Sequence, residues 1–515
     1  MKVILVNPYI TSLKGVRLPL SLLALGSVLE GRYEYVIVDG NIDPQAENTV
    51  IEILQGETTA LLACTVMPGP QVGPAIAISA KVRAMFPRVP IIWGGYFPTL
   101  YPDSALNAAY VDYVGRGQGE DLLIELLEHL PSAGPPVGNP DGTNSSATDT
   151  SALKDIKGLS FKYQGSIIHN PDRPFVAPDK YPQYPYHSLR DINVYLRPSF
   201  MGSRTGVHQA AIGCRFRCSF CGVVSMFNGV TRYPAAERLE LTLNTLRGYG
   251  ANAMQYYDHN FFDREENTLP LLEVMAKHPL PWWCYARADA LANAPERTWK
   301  LIRASGLRMA YIGAEAADDE ALRRMKKGTR VEHTFAVAAM CRENGIIPEF
   351  SFVLGGPGIE DPEEDLVKNF NFIRKLKKVY PECEIILYFY TPTPQRDRKH
   401  VMSGGAIPRL PGSGMVQSEL PQSPEEWTEQ RWVDFVCHMD APWLTPGLKE
   451  QVRDFSRVLY CRFPTVQDHS TPAWGKAVLK GLASWRYATH FYRYGWELEF
   501  VRRRLKLRNP QSEGL

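Results

Sequence analysis

The sequence predicts an α/β protein in four segments. These are a doubly wound parallel sheet over residues 1–131, a flexible linker with a connecting subdomain over residues 132–205, a partial β/α barrel of six units over residues 206–400, and a mainly helical extension over residues 401–515. Three observations predict this. Short β-rich apolar runs alternate with helical patterns twice along the chain, the rhythm of parallel sheets with crossover helices. A tract dense in Pro, Gly, Ser, Thr and Asn separates the two series. After about residue 400 the strand pattern stops and helical patterns take over.

In the first series the candidate strands are "VILVN", "YVIVDG", "ALLACTV", "PIIWGG" and "DYVGRG", between Val3 and His129. The next stretch, "PSAGPPVGNPDGTNSSATDTSA" (131 to 152), is too polar and too rich in Pro and Gly to build a core. "GLSFKYQGSIIHN" then predicts a hairpin turning at Gln164 and Gly165. The second series comprises "QAAIG" (209 to 213), "AMQYYD" (253 to 258), "PWWCYAR" (281 to 287), "MAYIGA" (309 to 314), "EFSFVLG" (349 to 355) and "EIILYFYT" (384 to 391). Sites in such barrels gather at the carboxyl ends of the strands.

Composition excludes several classes. At 515 residues, with 44% hydrophobic and 22% charged side chains, the chain is an ordinary multidomain globular protein. Its 57 basic and 55 acidic side chains leave +2 over the whole chain, which gives no electrostatic case for nucleic acid or an anionic membrane. It has no apolar run of transmembrane length, and "MKVILVNPYI" lacks the length of a signal peptide, so a cytoplasmic protein is expected.

Six of the nine cysteines are scattered singly, but Cys214, Cys218 and Cys221 cluster in "HQAAIGCRFRCSFCGVV". Structural zinc is usually closed by four ligands, so three thiolates suit it only if His208 completes the set. A four-iron four-sulfur cluster on three thiolates keeps one iron free of protein, open to a substrate or cofactor. Cys-x3-Cys-x2-Cys, with Phe220 just before the last cysteine and a barrel strand just before the loop, resembles the radical S-adenosylmethionine superfamily. That resemblance implies a [4Fe–4S] cluster on Cys214, Cys218 and Cys221, and S-adenosylmethionine chelated at the open iron and cleaved to a 5′-deoxyadenosyl radical. It assigns Asp258 or Glu315 to the ammonium or ribose of that cofactor and Arg287 to its carboxylate. Phe220 and Gly355, in the "FVLGGPG" turn, join them at the site. As single residues, all three charged groups also fit exposed loop positions. "YTPTPQ" departs from the Pro-Gly-Thr usual at its place in the family.

In the first domain no G-x-G-x-x-G follows strand one, which argues against a dinucleotide. Instead "ACTVMPG", "WGGYFPT" and "GRGQGEDLL" end successive strands with small residues suited to a broad, flat ligand at backbone distance. This Rossmann-like domain followed by a linker and the cysteine loop resembles the cobalamin-binding class of that superfamily. Thr65, Gly94, Gly95 and Gly117 are its candidate cobalamin contacts. Residues 1 to 128 contain no histidine, so the domain supplies no imidazole to cobalt.

The resemblance implies a methyltransferase that uses one S-adenosylmethionine to methylate cobalamin and a second to abstract hydrogen from an unactivated carbon. The first domain must then cap the barrel mouth. Two alternatives stay open: a cobalamin-dependent cyclase or rearrangement enzyme, and a non-catalytic iron-sulfur or zinc protein. The expected partners are a small substrate and an electron donor such as flavodoxin or ferredoxin. Aromatic residues in "HMDAPWLTP" and "ASWRYATHFYRYGWELEF" fit either helix packing or an apolar substrate pocket.

Overall fold

The computed structural model describes residues 1–130, 150–356, 358–393, 420–466 and 472–504. Most of the expected linker, the Gly/Pro-rich stretch after residue 400 and Pro357 of the "FVLGGPG" turn lie outside them.

The first sheet is built from β1 (Lys2–Asn7), α1 (Leu20–Leu29), β2 (Tyr35–Asp39), α2 (Ala46–Gln55), β3 (Ala60–Thr65), α3 (Val72–Met85), β4 (Ile91–Gly94), α4 (Tyr96–Leu100), α5 (Pro102–Asn107), β5 (Tyr113–Gly115) and α6 (Glu120–His129). Strands one to five are parallel in the order β2-β1-β3-β4-β5. Helices cover both faces, so Val3, Ile4, Leu5 and Val6 are all fully buried and the strand reads as one apolar run. After a short helix, α7 (Thr150–Leu153), the expected hairpin forms from β6 (Leu159–Tyr163) and β7 (Ser166–His169). Gln164 and Gly165 both have positive φ, 48° and 77°, as a two-residue hairpin turn requires. The hairpin was expected in a connecting subdomain, but β6 pairs antiparallel with β5 and completes a seven-stranded sheet.

The second sheet runs β8 (Thr205–His208), β11 (Ala253–Tyr256), β12 (Trp282–Arg287), β13 (Leu307–Glu315), β14 (Ile347–Leu354) and β15 (Glu384–Phe389), each parallel to the next. This singly wound order is the partial barrel the sequence predicts. Its first strand is Thr205–His208 and not 209–213, because the amides of Ala210 and Ala211 turn to the Asp258 carboxylate instead of a strand ladder. Ile212 and Gly213 form β9, which pairs with β10 (Thr231–Arg232) to close the base of the cysteine loop.

Between the strands lie α8 (Gly222–Phe227), α9 (Ala236–Gly248), α10 (Glu265–Lys277), α11 (Ala288–Ala292), α12 (Glu296–Ser305), α13 (Asp319–Arg324), α14 (Val331–Glu343) and α15 (Pro362–Val379). The last starts with Pro362 at its first turn, and the Asp361 side chain caps Glu363 and Glu364.

The C-terminal region carries α16 (Gln430–Val436), α17 (Pro446–Arg462), α18 (Ala473–Thr489) and α19 (Trp496–Arg504). It straps the two sheets together. Trp427 packs on Phe97 and Tyr101 of the first domain, with ring centroids 5.8 and 4.3 Å away. Farther on, Phe455 of α17 stacks on Phe370 of α15 at 4.0 Å.

Candidate functional site

Cys214, Cys218 and Cys221 lie on one loop between β9 and α8, with Cys221 at the N-cap of α8. The loop is fixed from several sides. Ser219 N–H donates to the Met325 carbonyl at 2.9 Å, and Arg215 Nε to Asp263 at 2.6 Å. Burial and the neighbouring thiols push the Cys221 thiol up to about 12 and also raise that of Cys214. Loading metal on these sulfurs therefore has to displace protons. Among the described residues no group of three or more His, Cys, Asp or Glu is arranged to hold one metal ion. Nor does His208 complete a zinc set. Its ring lies between Tyr184 and Tyr256 on the helix-covered face of β8, and burial lowers its pKa to about 3.

The charged residues expected around the cofactor are all buried. Arg287 is 4% exposed and stacks on Phe216 at 3.5 Å. It is paired with Asp289 at 2.9 Å and bonded to the Lys327 carbonyl, and its Nη1 lies 3.7 Å from Cys218 Sγ. Glu315 is aimed inward by a register shift between β13 and β14 and has φ of 64°. Its carboxylate pairs with Lys327 Nζ at 2.5 Å, and Ser351 donates to its other oxygen at 3.4 Å. Lys327 also sits 5.9 Å over the Phe220 ring. Sequence reasoning missed Lys327, which "RRMKKGTR" presents as one charge among several on an exposed turn.

Asp258 has a different task from the one expected. Its two oxygens accept from the amides of Ala210 and Ala211 at 3.0 and 2.5 Å, and it is 1% exposed. It clips the segment before the cysteines, and burial raises its pKa to about 7. Gly355 has φ of +75°, its carbonyl accepts from Trp443 Nε1 at 3.1 Å, and Leu444 packs against it. The "HMDAPWLTP" segment therefore covers the end of β14.

The inner face of the barrel is aromatic. Tyr257, Trp283, Tyr285 and Tyr311 form a row of edge and tilted contacts with centroids 4.6–6.4 Å apart, while their strand neighbours Tyr256, Trp282, Cys284 and Ile312 pack under the helices. Beside the row, Arg17 of the first domain donates to Gln255 Oε1 at 3.2 Å. Sequence offered no signal for this contact across 238 positions.

All four expected cobalamin residues, Thr65, Gly94, Gly95 and Gly117, line one cavity between the two domains. Gly95 has φ of +94°, and a Cβ there would sit 2.9 Å from Thr65 Oγ1. The opposite wall is Gln209, Ile212, Met226 and Phe227, the residues flanking the cysteines. Among the described residues no histidine lines the cavity. Its apolar, glycine-edged walls suit a broad, flat ring system such as a corrin. The two domains touch closely here, since a Cβ on Gly222, next to Cys221, would lie 1.5 Å from Tyr96 Oη. The first domain thus caps the barrel mouth.

Comparison with known proteins agrees with this arrangement. The family description "B12 binding domain" matches residues 6–127 and "Radical SAM superfamily" matches residues 210–370. An uncharacterized methyltransferase of Pyrococcus horikoshii is 23% identical over 371 residues, 71% of this chain and 75% of the relative. An anaerobic magnesium-protoporphyrin IX monomethyl ester cyclase of Synechocystis sp. is 20% identical over 405 residues, 76% of this chain and 75% of the relative. Among solved structures, the radical S-adenosylmethionine methyltransferase TsrM of Kitasatospora setae is similar in fold, with a TM-score of 0.63 at 18% identity over 98% of this chain and 99% of that one. With the cysteine loop facing the glycine-edged cavity, the chain belongs to the cobalamin-dependent class of the radical S-adenosylmethionine superfamily, enzymes whose cofactors are a [4Fe–4S] cluster, S-adenosylmethionine and cobalamin.

Proposed function

We propose that this enzyme transfers a methyl group to an unactivated carbon of a small molecule. One observation carries the proposal: a single cavity has the first sheet's strand ends on one wall and the flanks of the cysteine loop on the other. A carbon held there is within reach of both domains' chemistry. The relatives named as methyltransferases support the same reading. When bound, the cofactors supply a methyl group and a hydrogen-abstracting radical.

The protein's own residues bind, orient and shield. Cys214, Cys218 and Cys221 hold the cluster. Glu315 and Lys327 offer opposite charges, side by side, to the ammonium and carboxylate of S-adenosylmethionine, with Phe220 and Gly355 at its edges. Arg287 keeps the loop in place through Phe216 and is one contact from Cys218. Thr65, Gly94, Gly95 and Gly117 let cobalamin approach the backbone. The aromatic row and Arg17 border the substrate. A flavodoxin or ferredoxin in the cytoplasm is the proposed electron source.

Replacing all three cysteines by Ala should remove the cluster absorbance and all activity, and a triple variant that kept both would sink the assignment. For the reaction, anaerobic assays with cell extract as substrate source should follow 5′-deoxyadenosine, S-adenosylhomocysteine and product mass together. Both coproducts, with a product one methyl heavier that needs cobalamin, are expected. The cyclase relative favours a second reading, which predicts deoxyadenosine and a product of unchanged carbon count.

A further inference from the structure

We propose that the outer face of α18 and the turn after it docks on an anionic membrane surface. Of the sixteen large hydrophobic residues exposed on the described protein, seven fall between residues 474 and 500. They include Trp474 at 60%, Trp496 at 72% and Phe500 at 66%. On α18 the solvent face reads Trp474, Val478, Gly481, Trp485 and Ala488, spaced by four and three residues, which makes one continuous apolar stripe. The opposite face buries Leu479 and Ala483 against the rest of the molecule.

This exposure is built in. Arg486, 3% exposed, pairs with Glu497, and its two terminal nitrogens donate to the carbonyls of Arg493 and Tyr494 at 2.8 Å each. The same guanidinium sits 4.9 Å over Trp485 and 5.2 Å over Phe491, whose rings stack on one another. A buried arginine therefore braces the turn that presents the aromatic residues outward.

The chemistry selects the occupant. Trp and Tyr favour the headgroup region of a bilayer, and a helix with aromatic residues on one face and basic ones beside it lies in that plane. Residues 472–504 carry seven basic and two acidic side chains, a net +5, although the whole chain is only +2. Lys480, Arg503 and Arg504 of this segment are exposed. A seam for a second copy would be dominated by Leu and Ile, whereas this stripe mixes two Trp and one Val with Gly and Ala. No helix among the described residues is long and apolar enough to cross a membrane, so the contact is with the surface.

The test uses the cluster-loaded protein and vesicles of phosphatidylcholine, alone or mixed with phosphatidylglycerol. The protein should sediment with the mixed vesicles, release as salt is raised, and show a blue shift of tryptophan emission on binding. W474S/W485S/W496S should weaken binding by at least about tenfold. Lys480→Glu, an exposed change, should also weaken it and covers the case in which the triple variant misfolds. Three results would each overturn the proposal: protein that stays in the supernatant with both vesicle types, variants that sediment like the parent, or a dimer by light scattering that the triple variant loses while the parent ignores vesicles.

Discussion

Lys327 and Glu315 are the residues on which the site's charge balance turns. Their side chains are 8% and 5% exposed, so each depends on the other. Lys327→Met should cost about 3–5 kcal/mol by leaving a carboxylate buried without its partner. Denaturant unfolding measures that loss, and equilibrium binding of S-adenosylmethionine should weaken with it. Lys327→Arg should recover stability more than affinity, because the fork does not fit a space shaped for an ammonium. Asp258 predicts a pH effect. Burial raises its pKa from 3.8 to about 7, so in that window the folded chain keeps a proton that the unfolded chain releases. Stability should therefore fall as pH rises from about 4 to about 7. Asp258→Asn should remove this slope while costing about 1–3 kcal/mol, since one of two buried amides loses its acceptor. Unfolding midpoints at pH 5 and pH 8, compared with the parent, check both parts.

At the level of elements, α8 meets α4 through the smallest possible contact. Gly222→Ala places a methyl group where Tyr96 Oη already sits. Overpacking of this kind costs about 1–3 kcal/mol. Here it should act at the junction, lowering cobalamin retention on gel filtration more than the thermal midpoint, and Tyr96→Ala in the same chain should restore retention. The strands were legible because a parallel strand covered on both faces is one apolar run, as in Val3 to Val6. β8 was not, because it is only four residues long and the apolar letters after it belong to a turn held by Asp258. The cysteine spacing and the glycine strand ends are local patterns, so they read directly. Arg17 and Lys327 owe their place to contacts between distant segments, and in the sequence they look like any solvated charge.

For the whole molecule, the strap formed by the C-terminal region and the contact at Tyr96 make two domains into one closed body. Ser104 and Tyr110 of the first domain bond to Pro421 and Glu425, each at 2.7 Å. The Gly222 contact has a consequence for maturation. Cys221, partly buried, lies one residue from the spot where the first domain touches the barrel. A corrin seated in the cavity would keep the first domain against the cysteine loop, so iron and sulfide should reach the sulfurs more readily before it binds. The expected order of assembly is cluster first and corrin second. Protein loaded with cobalamin beforehand should take up iron and sulfide more slowly than cobalamin-free protein, as followed by visible absorbance, and the Gly222→Ala chain should lose this order.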